Sequence, residues 1–386
     1  MPAYSNDPDP QALAQLCSEL VKIDSINPPG NETRLAEYCA RYLGDLRLEL
    51  TVINHGQNRS SLLARLPGKG NKPGVLLSAH LDTVPPGLTA WKHNPLSGLI
   101  ADGNIYGRGA ADMKGGMAVI LYTVSGLKAG LEGDIYIALT AGEETDSLGA
   151  KAVADRLAVV PLQGIIIPEP THNQVVIAEK GALWLELTTF GKTAHGSTPA
   201  VGVNAVEHMR LLLDEWDALP FNLPAHPLLG EFTRSLNTVQ GGVKTNVVPD
   251  QCMVSIDMRT LPGQDHAEIF RQVEVLIEKL SGCVEPFKAS VVVSNDRPPV
   301  MTEPQHPFVV KFNQTAETVT GTRPAPRGMF AFTDGSILAP RLNLPLVVCG
   351  PGQPNIAHQP DEYVEISQLT ESAKILLQAL TGLLSV

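Results

Sequence analysis

Four apolar runs of strand length constrain this chain most: Ser61 to Leu66, Val75 to Ala79, Ile135 to Thr140 and Gly164 to Ile167. A helical stretch from Gly116 to Leu127 lies between the second and third. Strands alternating with helices predict an α/β sheet whose functional groups gather at strand ends. Ahead of them, the segment from about Asp9 to Val52 reads as two helices. Leu13, Leu16, Leu20 and Val21 mark the first, Leu35, Tyr38 and Leu43 the second, and Pro28-Pro29-Gly30 breaks them apart.

The pattern changes at Leu183, where LWLELTTFG alternates apolar and polar residues as a half-exposed strand does. A helix from about Asn204 to Trp216 follows, then strands near Ser235 to Gln240 and Met253 to Met258. A second helix from His266 to Leu280 and a strand near Val291 to Val293 complete the set. This strand, helix, strand, strand, helix, strand order resembles a small ferredoxin-like α+β unit. α/β character then resumes with a helix at Val309 to Thr320, the strand Pro345 to Cys349 and a closing helix at Ile366 to Leu384. The expected organisation is therefore one α/β domain formed by residues 1–181 and 295–386, with residues 182–294 inserted. A length of 386 residues agrees with two domains, since one core rarely serves more than about 100–200.

Composition excludes several function classes. With 40 acidic against 29 basic side chains, the formal charge is 29 − 40 = −11, which repels polyanions and argues against nucleic acid as a partner. No apolar run is long enough to span a membrane, and MPAYSNDPDPQ lacks the basic and apolar regions of an export signal, so a cytoplasmic protein is expected. The five cysteines are scattered without a CxxC pair and signal neither a disulfide framework nor a cysteine zinc site.

Histidine and carboxylate groups cluster at or just beyond the expected strand ends. His80 and Asp82 follow Val75-Leu76-Leu77 in SAHLDT, where a carboxylate beside a histidine can set its tautomer as a metal ligand; an HxD alone is common by chance. Asp112 sits in GRGAADMKGG, whose glycines allow a tightly folded ligand loop; a phosphate cradle is the rival, but the spacing is not GxxxxGK[ST]. Glu143 and Glu144 follow the third run as an adjacent pair that repels itself unless a cation or proton intervenes, although a solvated turn would tolerate it. Glu169 ends the fourth run in PEPT, and His358 lies downstream in GPG…AHQPDEY. Together they suit two divalent metal ions bridged by one carboxylate.

In this order, SAHLDTVP, GRGAADMKGG, AGEE, PEPT and GPG…AHQPDEY resemble the motifs of the M20 metallopeptidase family, and within it the acetylornithine deacetylase and succinyl-diaminopimelate desuccinylase branch. The resemblance implies a zinc-peptidase-like catalytic domain with an inserted ferredoxin-like lid and dimerisation domain. It implies two Zn²⁺ ions, with Co²⁺ or Mn²⁺ as possible substitutes: His80 and Glu169 on one, Glu144 and His358 on the other, and Asp112 bridging. Asp82 would orient His80, and a cis peptide would follow Asp112. Glu143 would be the general base, taking a proton from the attacking water and returning it to the departing amine.

In the inserted domain, GKTAHGS is similar to a lid motif whose histidine, here His195, reaches the active site of the partner subunit of a homodimer and supports the tetrahedral oxyanion. By itself, a histidine in such a loop reads as a solvated side chain. Asn246 and Arg259 look like substrate contacts, Arg259 by bidentate binding of a carboxylate; the bland reading of Arg259 is an ion pair with Asp257 or Asp265. Gly350 in GPG and Thr333 in TDGS read as pocket walls.

The function so implied is hydrolysis of an N-acyl amino acid, N-acetylornithine giving acetate and ornithine. The alternatives are succinyl-diaminopimelate desuccinylase, a dipeptidase or carboxypeptidase of the same family, and, from another class, a non-catalytic metal-dependent binding protein. A nucleotide-binding dehydrogenase lacks its GxGxxG after the first strand.

Overall fold

A computed structural model of the chain describes residues 7–44, 48–127, 130–221 and 223–385. The N-terminal residues 1–6, expected to carry no export signal, lie outside the described residues.

In chain order the elements are α1 (Pro10–Val21), α2 (Glu32–Gly44), β1 (Glu49–Gly56), β2 (Arg59–Leu66), β3 (Gly74–His80), β4 (Leu99–Ala101), β5 (Asn104–Tyr106), α3 (Gly115–Gly126), β6 (Ile135–Thr140), α4 (Leu148–Leu157), β7 (Leu162–Pro170) and β8 (Val176–Glu179). There follow β9 (Gly181–Phe190), α5 (Ala205–Trp216), β10 (Thr233–Gly241), β11 (Gln251–Thr260), α6 (His266–Cys283) and β12 (Lys288–Arg297). The chain ends with β13 (Val300–Met301), α7 (Pro307–Thr320), β14 (Arg327–Met329), α8 (Gly335–Leu342), β15 (Leu346–Gly350), β16 (Tyr363–Glu365) and α9 (Ile366–Leu384).

The chain divides into two compact units, one of residues 1–178, 301–328 and 333–386, the other of residues 179–300 and 329–332. The brief return at 329–332 has no counterpart in the sequence reading. In the first unit a nine-stranded sheet runs β1-β2-β6-β3-β7-β15-β8-β13, with β14 beside β8. Its centre is parallel: β3 pairs with β6 and with β7, and β7 with β15. Every residue of β3 and β15 is buried, as a parallel strand covered on both faces requires. α3 is apolar all round and buried from Gly115 to Val124, because it contacts α1, α2 and α9 on one side and the sheet on the other. α1 starts where Asp9 accepts the Gln11 and Ala12 amides, with Pro10 at the first helical position.

The second unit is a four-stranded antiparallel sheet in the order β10-β11-β9-β12 with α5 and α6, the ferredoxin-like arrangement expected from the alternation. β11 buries every second residue from Cys252 to Thr260, the period of a sheet with one covered face.

One expectation is corrected. The reading of residues 9–52 as helical fails after Gly44: Glu49–Gly56 is an edge strand antiparallel to β2, and residues 45–47 lie outside the described residues. The hairpin turns at Gln57 and Asn58, both with positive φ, and an edge strand with only Ile53 buried carries too little apolar periodicity to announce itself.

Cys17, Cys39, Cys252 and Cys349 are buried and Cys283 is exposed. Burial pushes the thiols of Cys17, Cys39 and Cys349 up to about 12. In the native protein at pH 8, Ellman's reagent should therefore titrate Cys283 rapidly and the other four only after denaturation; rapid reaction of two or more thiols in the native state would contradict this burial.

Candidate metal centre

The carboxyl ends of the parallel strands β3, β6 and β7 deliver His80, the Ala141–Glu144 turn and Glu169 to one region of the first unit, the place where open α/β sheets build their sites. Asp112 arrives from the turn that precedes α3, where the Asp112–Met113 peptide is cis. His358, with φ +63°, comes from the loop after β15.

These side chains converge. His80 Nε2 lies 2.9 Å from Asp112 Oδ1 and 3.5 Å from Glu169 Oε1. His358 Nε2 lies 3.0 Å from Glu144 Oε1 and 3.4 Å from Asp112 Oδ2. Asp112 thus faces one imidazole with each oxygen. Among the described residues, His80, Asp112 and Glu144 offer ligand atoms that all fall within 4.8 Å of one another. Glu143 stands beside them, buried.

Burial raises Glu143 and Glu169 well above the ordinary carboxylate range, with neighbouring carboxylates adding to the rise, and raises Glu144 as well. Burial also opposes a charged Asp112, but its hydrogen bonds with His358 and His80 hold it well below the usual range. Burial opposes a charged His80 too, yet Glu169 and Asp112 outweigh it and keep the imidazole well above its ordinary value. His358 is pushed up to about 10 by its bonds to Asp112 and Glu144. Ionised together, the four carboxylates would carry more negative charge than two protonated imidazoles can offset, and without further positive charge protons are driven onto the glutamates instead. Oxygen and imidazole ligands of this kind fit divalent cations such as zinc, cobalt or manganese.

The structure divides the role expected of Asp82. His80 Nδ1 meets the Asp82 backbone carbonyl at 2.9 Å, while the nearer carboxylate oxygen is 3.8 Å away. Donation to that carbonyl leaves Nε2 free to ligate. The buried carboxylate instead accepts the backbone amides of Gly142, Glu143 and Glu144 at 3.0, 3.1 and 3.2 Å, and Asn27 Nδ2 at 2.9 Å. It therefore orders the turn that carries both glutamates.

Gly116 and Gly350 let the chain close around Pro168. A Cβ at Gly116 would meet the Pro168 carbonyl oxygen at 2.0 Å, and one at Gly350 would meet Pro168 backbone at 2.2 Å. Gly350 N–H also donates to Thr171 Oγ1, and the Gly350 carbonyl accepts the Asn173 amide. Gly350 therefore seats the strand end that bears Glu169. Thr333 Oγ1 accepts the Gly335 amide at 2.9 Å and shapes the start of α8.

The remaining site residues of the sequence reading belong to the second unit. His195 is exposed, its Nδ1 accepting the Ser197 amide at 3.1 Å. Asn246 is exposed and its carbonyl accepts the Gly196 amide. Arg259 pairs with Asp257 at 3.1 Å, one of the two partners of its bland reading, and lies over the Phe332 ring at 5.8 Å.

Arg108 and Glu362 lie inside the GRGAADMKGG and AHQPDEY motifs without an expected role, and Asn27 lies in the loop ahead of Pro28-Pro29. A charged residue between two glycines, as Arg108 is, was the available signal.

The sequence matches Peptidase family M20/M25/M40 over residues 76–382. It is 31% identical over 361 residues to an acetylornithine deacetylase of Edwardsiella ictaluri (strain 93-146), covering 89% of each chain. It is 27% identical over 383 residues to a probable succinyl-diaminopimelate desuccinylase of Staphylococcus aureus (strain N315), covering 91% of this chain and 92% of that one. An M20 family metallo-carboxypeptidase of Sulfolobus solfataricus shares the fold, with a TM-score of 0.78 at 20% identity over 95% of this chain and 98% of that one. The chain belongs to peptidase family M20/M25/M40. It is a metal-dependent hydrolase acting on amides.

Asp82→Ala removes the acceptor of three adjacent amides, two of them in buried hydrogen bonds and the third part-buried. It should lower the unfolding free energy of the metal-free protein by about 3 kcal/mol or more, taking 1–3 kcal/mol per unsatisfied donor. Urea denaturation in chelator measures this, and an unchanged midpoint would refute the role given to the carboxylate.

Proposed function

We propose that this chain is a two-cation deacylase that hydrolyses the amide of an N-acyl amino acid, in the manner of an acetylornithine deacetylase releasing acetate and ornithine. The observation that carries the reading is a ring of two imidazoles and three carboxylates with a further buried glutamate, Glu143, beside it. His80 and Glu169 would hold one cation and Glu144 and His358 the other, with Asp112 available to both. The cations, zinc by preference with cobalt or manganese as substitutes, supply Lewis acidity toward water and the scissile carbonyl.

The chain's own groups complete the reaction. Glu143 accepts a proton from the attacking water and delivers it to the departing amine nitrogen; its burial and elevated proton affinity suit both transfers. His195 acts on the oxyanion in the active site of the other subunit of a homodimer. Because its Nδ1 accepts the Ser197 amide, the neutral ring carries its proton on Nε2, where a donor is needed. Arg259 and Asn246 contact the substrate, Arg259 exchanging its Asp257 partner for a carboxylate; Thr333 and Gly350 form pocket wall. A cytoplasmic location accompanies this reading. A second reading, succinyl-diaminopimelate desuccinylase, is favoured by relatives such as the Staphylococcus aureus protein, aligned over 91% of the chain.

Amine release from N-acetyl, N-succinyl and N-formyl amino acids and from simple dipeptides, with zinc restored after chelation, separates these substrates. N-acetylornithine should be cleaved best; preference for N-succinyl substrates would install the second reading, and preference for dipeptides would overturn both. Glu143→Gln should lower kcat by about 10²–10⁴-fold with metal content unchanged; full activity in that variant would sink the role given to Glu143.

A further inference from the structure

We propose that the buried ion pair between Arg108 and Glu362 is a positioning device that holds the His358 loop in register with the Asp112 turn, so that the cation held by Glu144 and His358 depends on it. This rests on the two-cation reading above.

Arg108 Nη1 lies 2.5 Å from Glu362 Oε2, and the two side chains are 2% and 0% exposed. Each partner uses its remaining atoms on a different part of the centre. Glu362 Oε1 accepts the backbone amides of Ala111 and Asp112 at 2.9 and 3.0 Å. Arg108 Nη2 donates to the His358 carbonyl at 3.2 Å and to the Pro85 carbonyl at 3.3 Å. One end of the pair therefore grips the backbone of the bridging carboxylate, and the other grips the backbone of a ligand 246 positions later in the chain, 358 − 112. Trp91 lies over the guanidinium at 5.1 Å and limits its movement.

Two physical points favour positioning over stabilisation. A buried ion pair adds little net stability over apolar residues of equal volume, because desolvation offsets the attraction. His358 also adopts φ +63°, a conformation that a residue with a Cβ holds only where surrounding contacts determine it. The Arg108 bond to the His358 carbonyl is such a contact. A planar, forked guanidinium can meet a carboxylate and two carbonyls together; the compact ammonium of lysine keeps the charge and loses the fork.

Cobalt titration of the metal-free full chain, followed by visible absorption and calorimetry, tests the inference. Wild type should take up two equivalents, and His358→Ala identifies the one that depends on His358. In Arg108→Lys, that same equivalent should bind about 10–100-fold more weakly, the range for groups that orient metal ligands, with the other equivalent unchanged. Trp91→Leu, which loosens the guanidinium and leaves the ion pair in place, should shift it in the same direction by a smaller factor. If metal-free Arg108→Lys lacks the wild-type far-ultraviolet dichroism, the Trp91→Leu titration decides. Wild-type uptake of both equivalents by the variants, or equal weakening of both, would overturn the positioning role and leave the two-cation reading standing. Uptake of a single equivalent by wild type would overturn that reading and this inference with it.

Discussion

Asp112, Glu143, Glu144 and Glu169 share one small, poorly solvated volume, and their mutual repulsion is the constraint around which the first unit is arranged. Without positive charge between them, burial and proximity drive protons onto Glu143, Glu144 and Glu169. In the metal-free chain His80 and His358 carry the compensating charge, which is why both imidazoles hold their protons so firmly. Divalent cations would answer the same need with more charge and fixed geometry. The sheet concentrates these carboxylates because parallel strands all end on one side.

Placing them demands backbone, and the centre uses its amides sparingly. The Asp82 carboxylate gathers three consecutive amides of the Gly142–Glu144 turn, so that two adjacent glutamates leave it in set directions. Glu362 does the same for Ala111 and Asp112. Arg59 reaches from β2 to Glu32 and Asp146 and ties the beginning of α2 to the far side of the glutamate turn. Asn27 joins this arrangement by donating to both Asp82 and Thr145. Buried charge thus serves as scaffolding beneath the ligands, where each acceptor satisfies donors that would otherwise be orphaned.

Elements with a sustained apolar run or a regular alternation were legible from the residues. The expected strand at Ile135 to Thr140 and the closing helix at Ile366 to Leu384 coincide with the observed elements, and the ferredoxin-like order of the second unit follows from its alternation. The edge strand β1, the short helices α4 and α8, and the small sheet of β4, β5 and β16 were not legible. β1, β4, β5 and β16 bury at most one residue each, and α4 and α8 are too short to show a sustained apolar period, so packing partners elsewhere in the chain decide their conformation.

The side chains at the centre were legible because histidines and carboxylates recur just beyond apolar strands, in an order that matches a family. Residue type and spacing thus determined the fold class, the family and the ligand candidates. Only the tertiary structure decided what the supporting groups do: that the backbone of Asp82 meets His80 while its carboxylate serves Gly142 to Glu144, that Gly350 seats β15 against Pro168, and that Arg108 meets Glu362. The reason is physical. A ligand is recognised by its own chemistry, whereas a supporting contact is a relation between residues far apart in the chain, and folding alone brings its two sides within bonding distance.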